Sequence, residues 1–250
     1  MVMRPEDVLF MMILFGRGIV SSGGSATDVE MALESIGKKN GFKTEVASTP
    51  TVIHISLVEL DGRSWSRIER IKVERPDFYR ITSYRNLLQE YLNDKTSWVD
   101  IIESLKLLES TRERYPLLLR SFCSGIAAMA FSYMFGGNLL ESLFSGVITA
   151  PIFLLLSLMP SNRMLIDFLA GFMTTILAVL CGFFFNLNSS KIIIGSIMPY
   201  VPGIIITNSI LELANRNLVS GSSKFTEAIL ILVSLVFGAS SAFFVAGGLV

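Results

Sequence analysis

The sequence predicts an α+β N-terminal cytoplasmic domain followed by an all-α transmembrane bundle of about five helices. Two observations predict it: charge is confined to the first half, and the second half holds successive apolar windows of spanning length. Of the 21 basic and 21 acidic residues, only eight lie beyond Arg120: Glu141, Arg163, Asp167, Lys191, Glu212, Arg216, Lys224 and Glu227. A water-soluble fold could not cover its surface with so few polar groups. The formal net charge is zero and no basic stripe rises above its acidic neighbours, so a nucleic-acid partner is not expected. Cys123 and Cys181 sit in separate apolar runs and read as packing residues, not as a disulfide or a zinc site.

Residues 1–115 make the first domain. Arg4 before the short apolar run of residues 8–15 superficially resembles a signal peptide, but Glu6 and Asp7 interrupt the positive region and no small-residue cleavage site follows. An amphipathic helix opening at Pro5 is expected instead, with Val8, Met12, Phe15 and Ile19 on one face. A Ser/Gly turn ends it. Thr27-x-x-Glu30 reads as a capping box for a second helix, whose inner face is Val29, Ala32, Leu33 and Ile36 and whose stop is Gly41. Strands are expected over 44–47, 52–59 and 67–73, the second with Ile53, Ile55 and Leu57 on one side. Two helices close the domain, the last with Trp98, Ile101, Ile102, Leu105 and Leu108 inward. His54, the one histidine, reads as a packed or hydrogen-bonded residue ahead of a catalyst. With no nucleophile elbow, Walker loop or metal-ligand cluster, the chain is not expected to be an enzyme, to hold a metal or cofactor, or to hydrolyse ATP.

Residues 116–250 make the second domain, with spans expected at about 117–135, 139–159, 164–185, 192–213 and 228–249. Short polar or Gly/Pro breaks separate them, the longest over 215–224. With the N-terminal domain inside, Arg112, Arg114, Arg120, Arg163, Arg216 and Lys224 fall on the inner side and Lys191 outside, which satisfies the positive-inside rule. An odd number of spans then places the C-terminus outside. Small residues recur at four-residue spacing in two spans: Ser124, Ala128, Ser132, Gly136, and Ser234, Gly238, Ala242, Ala246. They suit close helix packing within the bundle, ahead of docking to a second membrane subunit.

The fourth span contains Met198-Pro199-Tyr200-Val201-Pro202-Gly203-Ile204, then Thr207 and Asn208. Each proline lacks an N–H, which frees the carbonyls of Gly195 and Met198 and predicts a broken helix. The amides of Gly203, Ile204 and Ile205 would then open a new helix and offer donors to an anion. A proline kink that only shapes packing is the competing reading. Pro199, Pro202, Gly203, Ile204, Thr207 and Asn208 are therefore the candidate substrate path. Glu141, Asp167 and Glu212, near span ends, suit interfacial positions. Deep placement would make them candidates for gating or coupling.

Taken together, several motifs resemble the threonine/serine exporter family. They are Ser22-Gly23-Gly24-Ser25-x-x-Asp28-Val29-Glu30, Ser48-Thr49-Pro50-Thr51 running into a strand, Gly137-Asn138, Met198 to Gly203 with Thr207-Asn208, and Asn217-Leu218-Val219-Ser220-Gly221. They occur in order over nearly the whole chain. The resemblance marks Ser22, Gly23, Glu30, Thr49, Pro50 and Thr51 as the N-terminal family motif. Fused members have a second hydrophobic half, whereas this chain resembles the larger subunit of the split form. That form implies a small transmembrane partner subunit and export of dicarboxylates such as succinate, so the substrate stays open between these and hydroxylated amino acids. The expected function is a plasma-membrane exporter subunit for small carboxylates, driven by the proton gradient and seated in the lipid bilayer, with homo-oligomerisation open. The rival is a membrane-anchored sensor or scaffold that binds ligand without transport.

Overall fold

The computed structural model describes residues 3–59, 61–72, 76–110, 115–160 and 162–247. Val73, Arg112, Arg114 and Leu249, expected at a strand end, among the inner basic residues and at the last span's end, lie outside the described residues. The chain divides into two compact units, Met1–Arg112 with Ile206–Phe225, and Glu113–Ile205 with Thr226–Val250.

The first unit is built around α1 (Pro5–Ser21). The expected one-faced helix is instead buried almost all round: Val8, Met11, Met12 and Phe15 are fully covered, as are nearly all their neighbours. The cause is its position, because α2 (Ala26–Lys39), the sheet, α3 (Phe78–Leu92) and α4 (Trp98–Ser110) all pack on it. A helix in the middle of a core needs apolar residues on every side. Burying each large apolar side chain contributes about 1.5–3 kcal/mol. On α1, Gly18 makes a closer approach than Gly16, since a Cβ there would lie 2.1 Å from the Tyr84 ring, itself 1% exposed. Gly18→Ala is therefore expected to destabilise the unit by about 1–3 kcal/mol, read from the denaturation midpoint of the purified chain. An unchanged midpoint would contradict this packing.

The α2 cap differs from the predicted box. The N-cap is Ser25, whose Oγ accepts from the Asp28 amide and donates to its carboxylate. Glu30 is thus one turn inside the helix, and its carboxylate reaches away from the helix start. β1 (Lys43–Ser48), β2 (Val52–Val58) and β3 (Ser64–Arg70) form an antiparallel sheet in the order β1-β2-β3. β3 begins earlier than expected because a tight turn at Gly62, with φ +87°, pairs Val58 directly with Ser64. Ile53, Ile55 and Leu57 face the core. His54 points to the outer face between Ala47 and Ile68 and is exposed, so it is not packed in the core.

The second unit contains α5 (Leu117–Met134), α6 (Leu139–Leu158), α7 (Arg163–Phe185), α8 (Ser189–Ile197) and most of α10 (Leu218–Gly247). Among the described residues four helices are long and apolar enough to cross a membrane, and a bent pair, Ser189–Tyr200 with Gly203–Ala214 (α9), makes up to five. The first small-residue stripe lies within this bundle: Ser124, Ala128 and Ser132 are buried, and a Cβ on Gly195 would come within 2.5 Å of Ser132 Cβ. Hydroxyls tie the helices to one another's backbone. Ser132 donates to Lys191 O at 3.1 Å, Ser145 to Ile192 O at 2.9 Å and Ser121 to Ala150 O at 2.5 Å. In lipid such bonds and close contacts replace the hydrophobic effect as the cohesive force. α10 begins at Leu218, so the loop expected over 215–224 shrinks to three residues and Lys224 is helical.

Candidate functional site

The expected helix break is present. α8 ends at Ile197, a 3-10 turn covers Met198–Tyr200, and α9 starts at Gly203, with a 58° bend between the two parts. Pro202 cannot donate to Met198 O, and the Val201 amide takes that carbonyl instead at 3.1 Å. The Gly203 amide bonds Val201 O at 2.8 Å, while Gly203, Ile204 and Thr207 are exposed on the protein surface. Tyr200 sits at the turn with its hydroxyl buried and without a hydrogen-bond partner, its ring 6.4 Å from that of Phe153. A lone buried hydroxyl of this kind is uncommon and marks a place where a ligand or water has a donor to use.

A polar constellation lies in the first unit, where two segments nearly 190 residues apart meet. The chain leaves α1 through Ser22, Gly23 and Gly24, and a Cβ on Gly24 would lie 2.4 Å from Ile19, so only glycine fits this approach to α2. The first amides of a helix have no partner within it. That of Ala26 donates to Glu212 Oε1 at 2.9 Å. The same oxygen is 2.6 Å from Lys224 Nζ, which also donates to Gly24 O at 3.3 Å. Glu212 is 1% exposed and the Lys224 side chain 14%. On one flank Asn208 Nδ2 donates to Gly23 O at 3.4 Å. On the other Asn217 Nδ2 donates to Thr27 Oγ1 at 3.0 Å and to Glu30 Oε2 at 3.5 Å, and Glu30 Oε1 accepts from the Ser48 amide at 3.0 Å. Glu212 Oε2 and the Ser22, Ser48 and Ser220 hydroxyls are buried without a hydrogen-bond partner among the described residues.

Local sequence explains how α9 and α10 present these groups. Arg216 adopts φ +63°, which turns the chain in three residues, and the Asn217 amide closes the turn on Glu212 O at 2.9 Å. A Cβ on Gly221 would sit 2.9 Å from the Leu213 amide, so the two helices lie against each other there and Glu212 faces Lys224. The helix dipole and the ammonium both favour a carboxylate at this point.

Of the residues marked in the sequence, Gly23, Glu30, Asn208 and Glu212 are brought together in this constellation, with Ser22 adjoining Gly23. Thr49, Pro50 and Thr51 form their own turn, in which Thr49 Oγ1 accepts from the Val52 amide, and they join only through Ser48. Glu141 lies in the second unit, 7% exposed, with Oε2 accepting from the Asn138 amide at 2.7 Å and Oε1 from the Asn188 amide at 2.9 Å. It staples the start of α6 to the cap of α8. Asp167 is likewise buried in that unit, 3.7 Å from Arg163 one turn away. The sequence reading missed Lys224, Asn217 and the Ala26 amide as site groups. Lys224 had a signal, because a lysine within an apolar helix calls for a partner.

Searches of curated proteins and of solved structures return no match. The model of one protein family, ThrE, the threonine/serine exporters, matches residues 11–246, which takes in both units and every motif described above. Its members are transporters. With four to five apolar helices of spanning length among the described residues and a match over almost its entire length, the chain is a multi-pass membrane protein that belongs to the threonine/serine exporter family.

Proposed function

We propose that this chain is a subunit of a plasma-membrane exporter of small carboxylate metabolites, either threonine- and serine-like amino acids or dicarboxylates such as succinate. It works with a second, small membrane subunit and is driven by the proton gradient. In this reading the N-terminal domain is cytoplasmic and the C-terminus lies outside, which the distribution of Arg and Lys supports. The segment containing Pro199, Pro202, Gly203, Ile204, Thr207 and Asn208 lines the path. The Glu212–Lys224 contact with the start of α2 is the gate on the cytoplasmic side.

The observation that carries the reading is the interruption at residues 198–203, followed within one helix by side chains buried against the glycine turn of the N-terminal domain. Broken helices expose backbone donors and acceptors where a polar solute must pass. Efflux of labelled threonine and succinate from cells expressing the chain, with and without a candidate small subunit, tests it. Efflux above background is expected in the pair, and Pro202→Ala with Asn208→Ala is expected to lower it by about tenfold, since misplaced positioning groups cost of the order of 1.4 kcal/mol or more. Unchanged efflux in the double variant would contradict the proposed path. Ligand binding without flux would favour the sensor.

A further inference from the structure

The start of α2 and Lys224 together form a carboxylate-binding site, and the geometry points to Glu212 as an internal stand-in for a ligand carboxylate. One oxygen of Glu212 accepts from the Ala26 amide at 2.9 Å and from Lys224 at 2.6 Å. These are the contacts that a carboxylate-bearing solute would make with a helix N-terminus and an ammonium. The second oxygen, Oε2, belongs to a side chain that is 1% exposed and has no hydrogen-bond partner. A carboxylate held only for structural reasons normally has both oxygens satisfied when buried, as Glu141 does in the other unit. The Ser22 hydroxyl, in the residue before Gly23, and the Ser220 hydroxyl on α10 are further buried groups left without partners.

The cationic side of the site is not shared with another acid. Glu30 of α2 is committed to Asn217 and the Ser48 amide, and Asp28 of α2 to Ser25 and Arg85. Arg216 in the turn and Glu227 on α10 are exposed. Lys224 thus has Glu212 as its acidic contact. When Glu212 swings away, the ammonium and the Ala26 amide present an empty carboxylate cradle, and an incoming carboxylate holds the gate open by replacing the internal one. This deepens the exporter reading and rests on it for its physiological meaning, but the binding chemistry stands on the site alone.

The test is chemical rescue of the full chain in lipid nanodiscs, with acetate as the probe and acetamide as its uncharged match. Glu212→Ala is expected to lower the unfolding temperature, and acetate to restore it saturably. Acetamide is expected to have no effect, and the further change Lys224→Met to abolish the rescue. If Glu212→Ala does not fold, Glu212→Gln keeps the shape and is expected to bind acetate about tenfold more tightly than the unaltered chain, read by calorimetry. Succinate and threonine are expected to compete with acetate in either variant. Folded variants without dependence on acetate, or with equal rescue by acetamide, would overturn the inference. Rescue in a chain that never supports efflux would instead remove the exporter reading and leave the carboxylate site standing.

Discussion

Replacing Lys224 by methionine is expected to destabilise the N-terminal unit by about 3–5 kcal/mol, because it leaves Glu212 buried as an uncompensated charge. Glu212 is 1% exposed and its other contact is one backbone amide, so water has little access to take the place of the ammonium. The paired change Lys224→Met with Glu212→Leu is expected to recover most of that loss, since neither charge is then stranded and the space is filled. Denaturant midpoints of the purified chain in one detergent check both. As a contrast, the Lys43–Glu45 pair is 76% and 71% exposed, and breaking it is expected to change stability by about 0–1 kcal/mol. Comparable losses from both pairs would mean that Glu212 and Lys224 are solvated.

Gly238→Leu is the second substitution with a large expected effect. A Cβ at Gly238 would lie 2.0 Å from Phe168 O and 2.9 Å from the Phe172 amide, and one at Gly171 would lie 2.3 Å from Leu235 O. Both obstructions are backbone, which cannot rotate aside as a side chain can. α7 and α10 therefore meet glycine to backbone, and a larger residue must push the helices apart along the seam. Overpacking of this kind costs about 1–3 kcal/mol where the surroundings can yield, and here they cannot. The expected result is loss of the monodisperse peak in size-exclusion chromatography and a lowered unfolding temperature. Unaltered behaviour would show that this seam is not a stable contact.

The membrane half was legible because lipid leaves few options. With so little charge past Arg120, residues such as Leu139 to Leu158 had to form helices of spanning length. The break at Pro199 and Pro202 was legible for a similar reason, since a missing N–H at a known position must disturb the ladder whatever surrounds it. The burial of α1 was not. Its apolar residues suit one face or the whole circumference, and only the packing of the sheet and three helices decides between them. The α2 cap was misplaced by two residues because Ser25 and Thr27 both suit the role, and the tight glycine turn selects Ser25.

The meeting of Gly23 to Glu30 with Asn208 to Lys224 was beyond local pattern. Each segment carries ordinary polar residues, and their pairing depends on the course of about 180 intervening residues. Glu212 was marked as a charge near a span end, and Lys224 as a loop cation that sets orientation. A backbone amide at the start of α2 joins them into one site, and no side-chain motif announces an amide.

The most direct measurement of the proposed gate is a reversible cross-link across it. Thr27 and Asn217 touch through Oγ1 and Nδ2 at 3.0 Å, so Thr27→Cys with Asn217→Cys, made in a chain with Cys123 and Cys181 replaced by alanine, should form a disulfide on mild oxidation. The expected result is that efflux from cells carrying the complete exporter stops when the bond forms and returns when it is reduced. Efflux that continues undiminished through the closed disulfide would contradict the gate.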